Sequence, residues 1–197
     1  ERAGAFVANA FEAGVLPAVI DLFVPLDSAR PQRFWDSWWN GLPMDNQMSE
    51  RLLPTAFTEI FIPLDCTAEA LGAMRDHFEA NGLRATGTFL VELYAAPASR
   101  FWMHPSYGRD SMRIDVFWFA RNPGDPAEKY FPQFWELLAP FGYRLHWGKY
   151  LPRTPELGAA YLRRQLPRWD DFLALRAELD PSGVFLSRYW KEALGIA

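Results

Sequence analysis

The sequence predicts an α+β fold: a ferredoxin-like β-α-β-β-α-β antiparallel sheet with helices on one face, an N-terminal helical and irregular segment, and a C-terminal helical tail. Three observations predict it. Four stretches, residues 57–63, 86–95, 111–121 and 143–149, alternate or run in β-forming residues as strands do. Helical patterns at 65–80 and 126–140 separate the first strand from the second and the third from the fourth. The second and third strands are joined by a loop, residues 97–110, with no helix between them.

The elements follow in order. Residues 1–24 read as a helix broken near Gly14 and Pro17, and residues 30–54 as an irregular stretch packed by its own aromatics. After the first strand, Asp65 or Thr67 can cap a helix whose Leu71, Met74 and Phe78 form an apolar stripe. Asn81-Gly82 stops it. The third strand is rich in β-formers. It ends at Asn122-Pro123-Gly124-Asp125-Pro126, a turn with an N-cap and a proline at the helix start. The helix restarts at Pro132 and ends near Pro140. Beyond the fourth strand, a Pro-containing stretch leads to a helix at 169–179, closed by Asp180-Pro181-Ser182-Gly183. The divisions are therefore 1–56 as the N-terminal segment, 57–150 as the ferredoxin-like unit and 151–197 as the C-terminal tail.

Composition narrows the function. Half of the 197 residues are hydrophobic, so the chain buries a core rather than staying disordered. The aromatic share of 16% is unusually high; such rings fill cores and also line pockets and interfaces. A net charge of −4 argues against a nucleic-acid surface, which needs excess Lys and Arg. Cys66 is the single cysteine, so an internal disulfide is excluded, and no Cys/His cluster suggests zinc. No apolar run is long enough to span a bilayer and no signal peptide is visible, so the expectation is a cytoplasmic protein without membrane association. The chain begins at Glu1 and reads as a fragment or a processed chain.

Strand parity sorts the side chains. Thr58, Ile60, Ile62, Ile114, Val116 and Leu145 belong to the face that the helices cover. The opposite face carries Glu59, Glu92, Tyr94, Arg113, Asp115, Phe117, Arg144 and His146. Helices on one side leave this mixed aromatic and charged face in need of a ligand or a partner domain. Two other readings stand beside catalysis: a non-catalytic ferredoxin-like module binding a partner protein or small ligand, and base stacking on the aromatic face. His77 and His104 have no partner at motif spacing. Neither a Gly-x-Ser-x-Gly elbow nor a Gly-rich phosphate loop is present.

Three ordered motifs refine the reading. Leu145-His146-Trp147-Gly148-Lys149 resembles the His-Trp-(Gly/Ala)-Lys signature of the aldonolactone and alditol oxidases, within the vanillyl-alcohol-oxidase-type flavoproteins. Pro105-Ser106-Tyr107-Gly108-Arg109-Asp110-Ser111 and Leu179-Asp180-Pro181-Ser182-Gly183-Val184-Phe185 are similar to two further stretches of that family. The resemblance covers roughly residues 57–195. It implies a parent enzyme that oxidises an alcohol, polyol or sugar lactone by hydride transfer to FAD. The FAD would be held by an N-terminal domain beyond this chain, and the tail would pack toward it.

The resemblance also implies roles. Glu92 matches the acidic residue of a Glu-x-Arg pair at the substrate and Lys149 the signature lysine; these are the candidate catalytic residues. Tyr94, Asp115, Phe117 and Arg113 are the candidate substrate-binding residues. Tyr94 stands at the arginine position of the pair, and Phe117 where alditol oxidases carry a substrate-binding threonine. These replacements favour a less polar or differently oriented alcohol, or a larger sugar derivative. His146, Lys149 and Ser187 are the candidate cofactor contacts, and no metal is implied.

Overall fold

The computed structural model describes residues 54–88, 91–154 and 156–196, together with Trp35 and Ser37. The helix expected at 1–24 and nearly all of the irregular stretch at 30–54 lie outside the described residues.

Four strands form one antiparallel sheet: β1 (Thr55–Pro63), β2 (Val91–Ala96), β3 (Ser111–Phe119) and β4 (Arg144–Leu145). Their order across the sheet is β2-β3-β1-β4. Helix α1 (Thr67–Asn81) links β1 to β2, while α2 (Pro126–Lys129) and α3 (Phe131–Leu138) link β3 to β4. Three helices close the chain: α4 (Ala159–Gln165), α5 (Trp169–Leu179) and α6 (Arg188–Leu194). This is the predicted α+β, ferredoxin-like order.

The covered face is as parity requires. Ile60, Ile62, Ile114, Val116 and Leu145 join Ala70 and Met74 of α1 and Phe131, Phe134, Trp135 and Leu138 of α3 in one buried cluster. Thr58, fully buried among them, keeps its hydroxyl satisfied twice: it accepts from Trp135 Nε1 at 3.1 Å and donates to the Tyr150 carbonyl at 2.8 Å. The same cluster takes in Leu162, Leu166, Trp169 and Leu194, so the three C-terminal helices share the core of the sheet.

Four local expectations are corrected. Neither Asp65 nor Thr67 caps α1: a 3-10 turn (Leu64–Cys66) precedes it, and the Thr67 hydroxyl donates back to the Leu64 carbonyl at 2.6 Å. The second strand starts at Val91, not 86, because Gly87 is held by other bonds. Its N–H donates to the Tyr130 hydroxyl at 2.9 Å, and its carbonyl accepts from Phe119 N–H and from Asn122. A Cβ there would collide with the Phe117 carbonyl and the Tyr130 ring. The third strand stops at Phe119, two residues early. The fourth is only Arg144–Leu145, since from His146 onward the chain turns, with Lys149 N–H donating to the His146 carbonyl at 3.2 Å. Asp125 does cap α2, accepting from Ala127 N–H at 2.9 Å.

Candidate functional site

The register of the sheet decides what meets on the face opposite the helices. Glu92 of β2 lies opposite Asp115 of β3, which lies opposite Glu59 of β1. His146 continues the row, its N–H donating to the Glu59 carbonyl at 3.2 Å. One rung therefore carries Glu92, Asp115, Glu59 and His146 across the sheet. On one side of it lie Tyr94 and Arg113, and on the other Phe117 and Phe57.

Arg113 is the cation that pairs with this rung. Its guanidinium meets Asp115 Oδ2 at 2.9 Å and Glu59 Oε1 at 3.7 Å, and stacks 4.2 Å from the centroid of the Tyr94 ring. Tyr94 in turn donates its hydroxyl to Glu92 Oε2 at 3.1 Å. Asp115 is 1% exposed and Glu59 5%. Burial, followed by the charge of Glu59, pushes the Asp115 carboxyl up to about 7 despite Arg113. Asp115 Oδ1 and Glu59 Oε2 are buried without a hydrogen-bond partner.

His146 Nδ1 accepts the Gly148 N–H at 3.0 Å, which places the neutral ring's proton on Nε2. The same Nδ1 stands 3.6 Å from Glu59 Oε2, so that contact becomes an ion pair only when the ring is protonated. Lys149 reaches back over β1, its ammonium 3.8 Å from the centre of Phe57, and Phe57 stacks on Phe117 at 4.8 Å. Lys149 over β1 and Glu92 on β2 are thus two strand spacings apart, roughly 10 Å, with Phe117 and Asp115 between them. They flank a face and do not touch each other. A cavity of about 1130 Å³ opens at the Lys149 end, lined by Phe57, Lys149, Tyr189 and Arg163 among others.

Ser187 does not lie on the sheet face. Its hydroxyl accepts from Trp190 N–H at 3.4 Å and caps α6. That helix is tied to the lysine loop by the Tyr189 hydroxyl, which donates to the Trp147 carbonyl. Sequence parity placed Glu59 on this face, but nothing singled it out. The signal was its position on β1, opposite Asp115, and it needed the register to be read. Phe57, the seat of Lys149, was missed in the same way.

The recognisable motifs are largely structural devices. Arg109 donates to the carbonyls of Gly142 at 2.8 Å and Phe61 at 3.4 Å, and Asp110 accepts from Ala98 N–H at 2.8 Å. Trp147 Nε1 donates to the Met103 carbonyl at 2.7 Å, and its ring packs on Trp169 and Trp190. Asp180 accepts from the N–H groups of Val184 and Phe185 at 2.7 and 3.0 Å. Arg144, counted by parity on the polar face, is 6% exposed and donates to the carbonyls of Gln165, Pro105 and Tyr107. It belongs to the scaffold.

Among the described residues no helix is long and apolar enough to cross a membrane, and no group of three or more side chains could hold a metal ion.

Comparison with known proteins agrees with the motifs. The family described as D-arabinono-1,4-lactone oxidase matches residues 35–193. The L-gulono-1,4-lactone dehydrogenase of Mycobacterium tuberculosis is 37% identical over 142 residues, covering 71% of this chain and 31% of the relative. An alditol oxidase from a Streptomyces species is 36% identical over 96 residues, 47% of this chain and 21% of the relative. The L-gulonolactone oxidase of Scyliorhinus torazame is 29% identical over 129 residues, 65% of this chain and 28% of the relative. The chain thus spans about a third or less of the curated relatives it matches. A match over most of the sequence, with the three motifs in order, shows that the chain belongs to the D-arabinono-1,4-lactone oxidase family.

Proposed function

We propose that this chain is the substrate-facing part of an FAD-dependent oxidoreductase that oxidises a CH–OH group of a polyol, a sugar lactone or a related alcohol. The observation that carries the reading is the sheet face opposite the helices, which carries Glu92 and Arg113 beside Tyr94, and Lys149 over the stacked rings of Phe57 and Phe117. The reading rests equally on family membership.

The residues present fit a flavin. An aromatic and cationic face opens beside a cavity at Lys149, and a flat, electron-poor ring system needs such a wall. His146, Lys149 and Ser187 are the residues of this chain assigned to it. A serine hydroxyl that accepts one bond still has its own proton to donate. When bound, the flavin accepts the two electrons of the alcohol as a hydride.

This chain's own residues do the rest. Glu92 accepts a hydrogen bond from the reacting hydroxyl and orients it. Lys149 places positive charge at the far end of the face, toward the substrate oxygen or the cofactor. Arg113, leaning on Tyr94, returns a guanidinium to the region where the family's Glu-x-Arg pair would put one. Phe117 and Tyr94 make this face more apolar than a polyol needs, which favours a less polar or differently oriented alcohol, or a larger sugar derivative. The partners are the N-terminal FAD-binding domain of the longer protein and this small-molecule substrate.

The test uses the full-length protein. Lys149→Met and Glu92→Gln are made separately, and anaerobic flavin reduction is followed with a panel of polyols and aldonolactones. Each change should slow reduction on the order of a hundredfold, the usual effect of removing one positioned polar group. Unchanged rates in both variants would overturn the assignment.

A further inference from the structure

We propose that Glu59 and Asp115 form a carboxyl–carboxylate pair that shares one proton beneath the substrate face, and that this pair takes up the hydroxyl proton when the alcohol is oxidised. The second half of this statement rests on the function proposed above; the first does not.

The argument starts from charge. Asp115 and Glu59 are direct partners across β3 and β1, where side chains begin roughly 5 Å apart. Both are more than nine-tenths buried. Each has one oxygen on Arg113, Asp115 at 2.9 Å and Glu59 at 3.7 Å. Each has its other oxygen buried and without a hydrogen-bond partner. One guanidinium thus faces two buried carboxylates, and two lone oxygens remain. A single proton removes the surplus charge and supplies the missing donor at once.

The neighbours supply no substitute. From β2, Glu92 adds a third carboxylate opposite Asp115, and its Tyr94 partner is neutral. From the turn after β4, His146 presents to Glu59 the nitrogen that already accepts the Gly148 N–H. Lys149, on the same turn, is seated over Phe57. From β4, Arg144 is committed to three backbone carbonyls. The pull of burial and of Glu59 on Asp115 runs in the same direction as this count.

The chemistry balances. The alcohol's O–H bond breaks and its proton moves to the deprotonated pair. The O–H electrons form the carbonyl π bond, and the C–H bond breaks with both electrons leaving to the flavin. Glu92 is left free to orient the hydroxyl. Asp115 sits one strand inward from Glu92 and Glu59 two, so the pair lies between Glu92 and His146, whose side chain is 47% exposed.

The test has two arms on the full-length protein. The first is infrared titration of the protonated-carboxyl C=O band, with no substrate present. A band titrating near 7 is expected, absent in Asp115→Asn and moved down by about one pH unit or more in Glu59→Gln. Arg113→Gln should move it up, and serves if Glu59→Gln does not fold. No such band above pH 5, or a band that ignores both Glu59→Gln and Arg113→Gln, overturns the pair. The second arm is the pH profile of anaerobic flavin reduction. Its acid limb should move with the band in Glu59→Gln. A limb that stays while the band moves overturns the acceptor role. If the band behaves as stated but no alcohol reduces the flavin in the unaltered protein, the function fails, the acceptor role goes with it, and the pair stands.

Discussion

Replacing Asp115 by Asn should remove a loss of stability that grows as pH rises, and the size of that loss follows from the position of the carboxyl. Asp115 is 1% exposed and its carboxyl is raised from 3.8 to about 7, chiefly by burial. In the unfolded chain it loses its proton near pH 4, whereas in the folded chain it keeps it to about pH 7. Across that window the folded state holds one more proton than the unfolded state, so stability falls as pH rises. The slope is about 1.4 kcal/mol per pH unit, and the total on the order of 4 kcal/mol. Asn at this position is close in size and does not titrate. Whatever constant offset Asp115→Asn brings through altered packing or a weaker contact with Arg113, its advantage over Asp should widen from pH 4 to pH 8. The assay is urea unfolding of both proteins at several pH values, with the m-value checked for constancy. A stability difference that stays flat across this range would refute the reasoning, because it would mean that Asp115 ionises in the folded state as easily as in water.

Two further outcomes follow from other buried groups. Arg144→Gln removes a guanidinium that donates to the carbonyls of Gln165, Pro105 and Tyr107; the expected cost is about 3 kcal/mol or more, with faster hydrogen exchange in residues 99–109. Tyr130→Phe strips the acceptor from the Gly87 N–H, held at 2.9 Å in a buried site, and should cost about 1–3 kcal/mol in urea unfolding at an unchanged m-value.

The period-two pattern and the two helical windows were enough to read the sheet, its order of elements and its covered face. Alternation is a direct geometric consequence of the pleat, so Ile60 and Glu59 separate without any knowledge of the fold. What could not be read is where long-range bonds replace the ladder. Gly87 looks like a strand residue, yet a tyrosine 43 positions later holds its N–H and the strand begins further on. His146 and Trp147 continue the β pattern in sequence, yet a bond from Gly148 to the imidazole and one from the indole to Met103 turn the chain there. The site shows the same division. Glu92, Tyr94, Arg113, Asp115 and Phe117 were assigned to one face from parity and motif, and the register assembles them. Glu59 became conspicuous only when β1 was found next to β3, because pairing partners are a property of topology and not of local pattern.

The motifs that make this family recognisable have a consequence for how its members diverge. Arg109, Trp147 and Asp180 direct their polar groups at main-chain atoms, and main-chain atoms are the same whatever the substrate. Selection for folding alone would preserve them. Tyr94, Arg113, Asp115 and Phe117 sit on a different footing: the contacts described for them are with side chains of the same sheet face, so a change there leaves those main-chain braces in place. On the function proposed above, a lineage could therefore change its substrate while its signature stays intact. Substrate range would then rest on four side chains on two strands, and a survey of relatives for new activities should be sorted on those positions first.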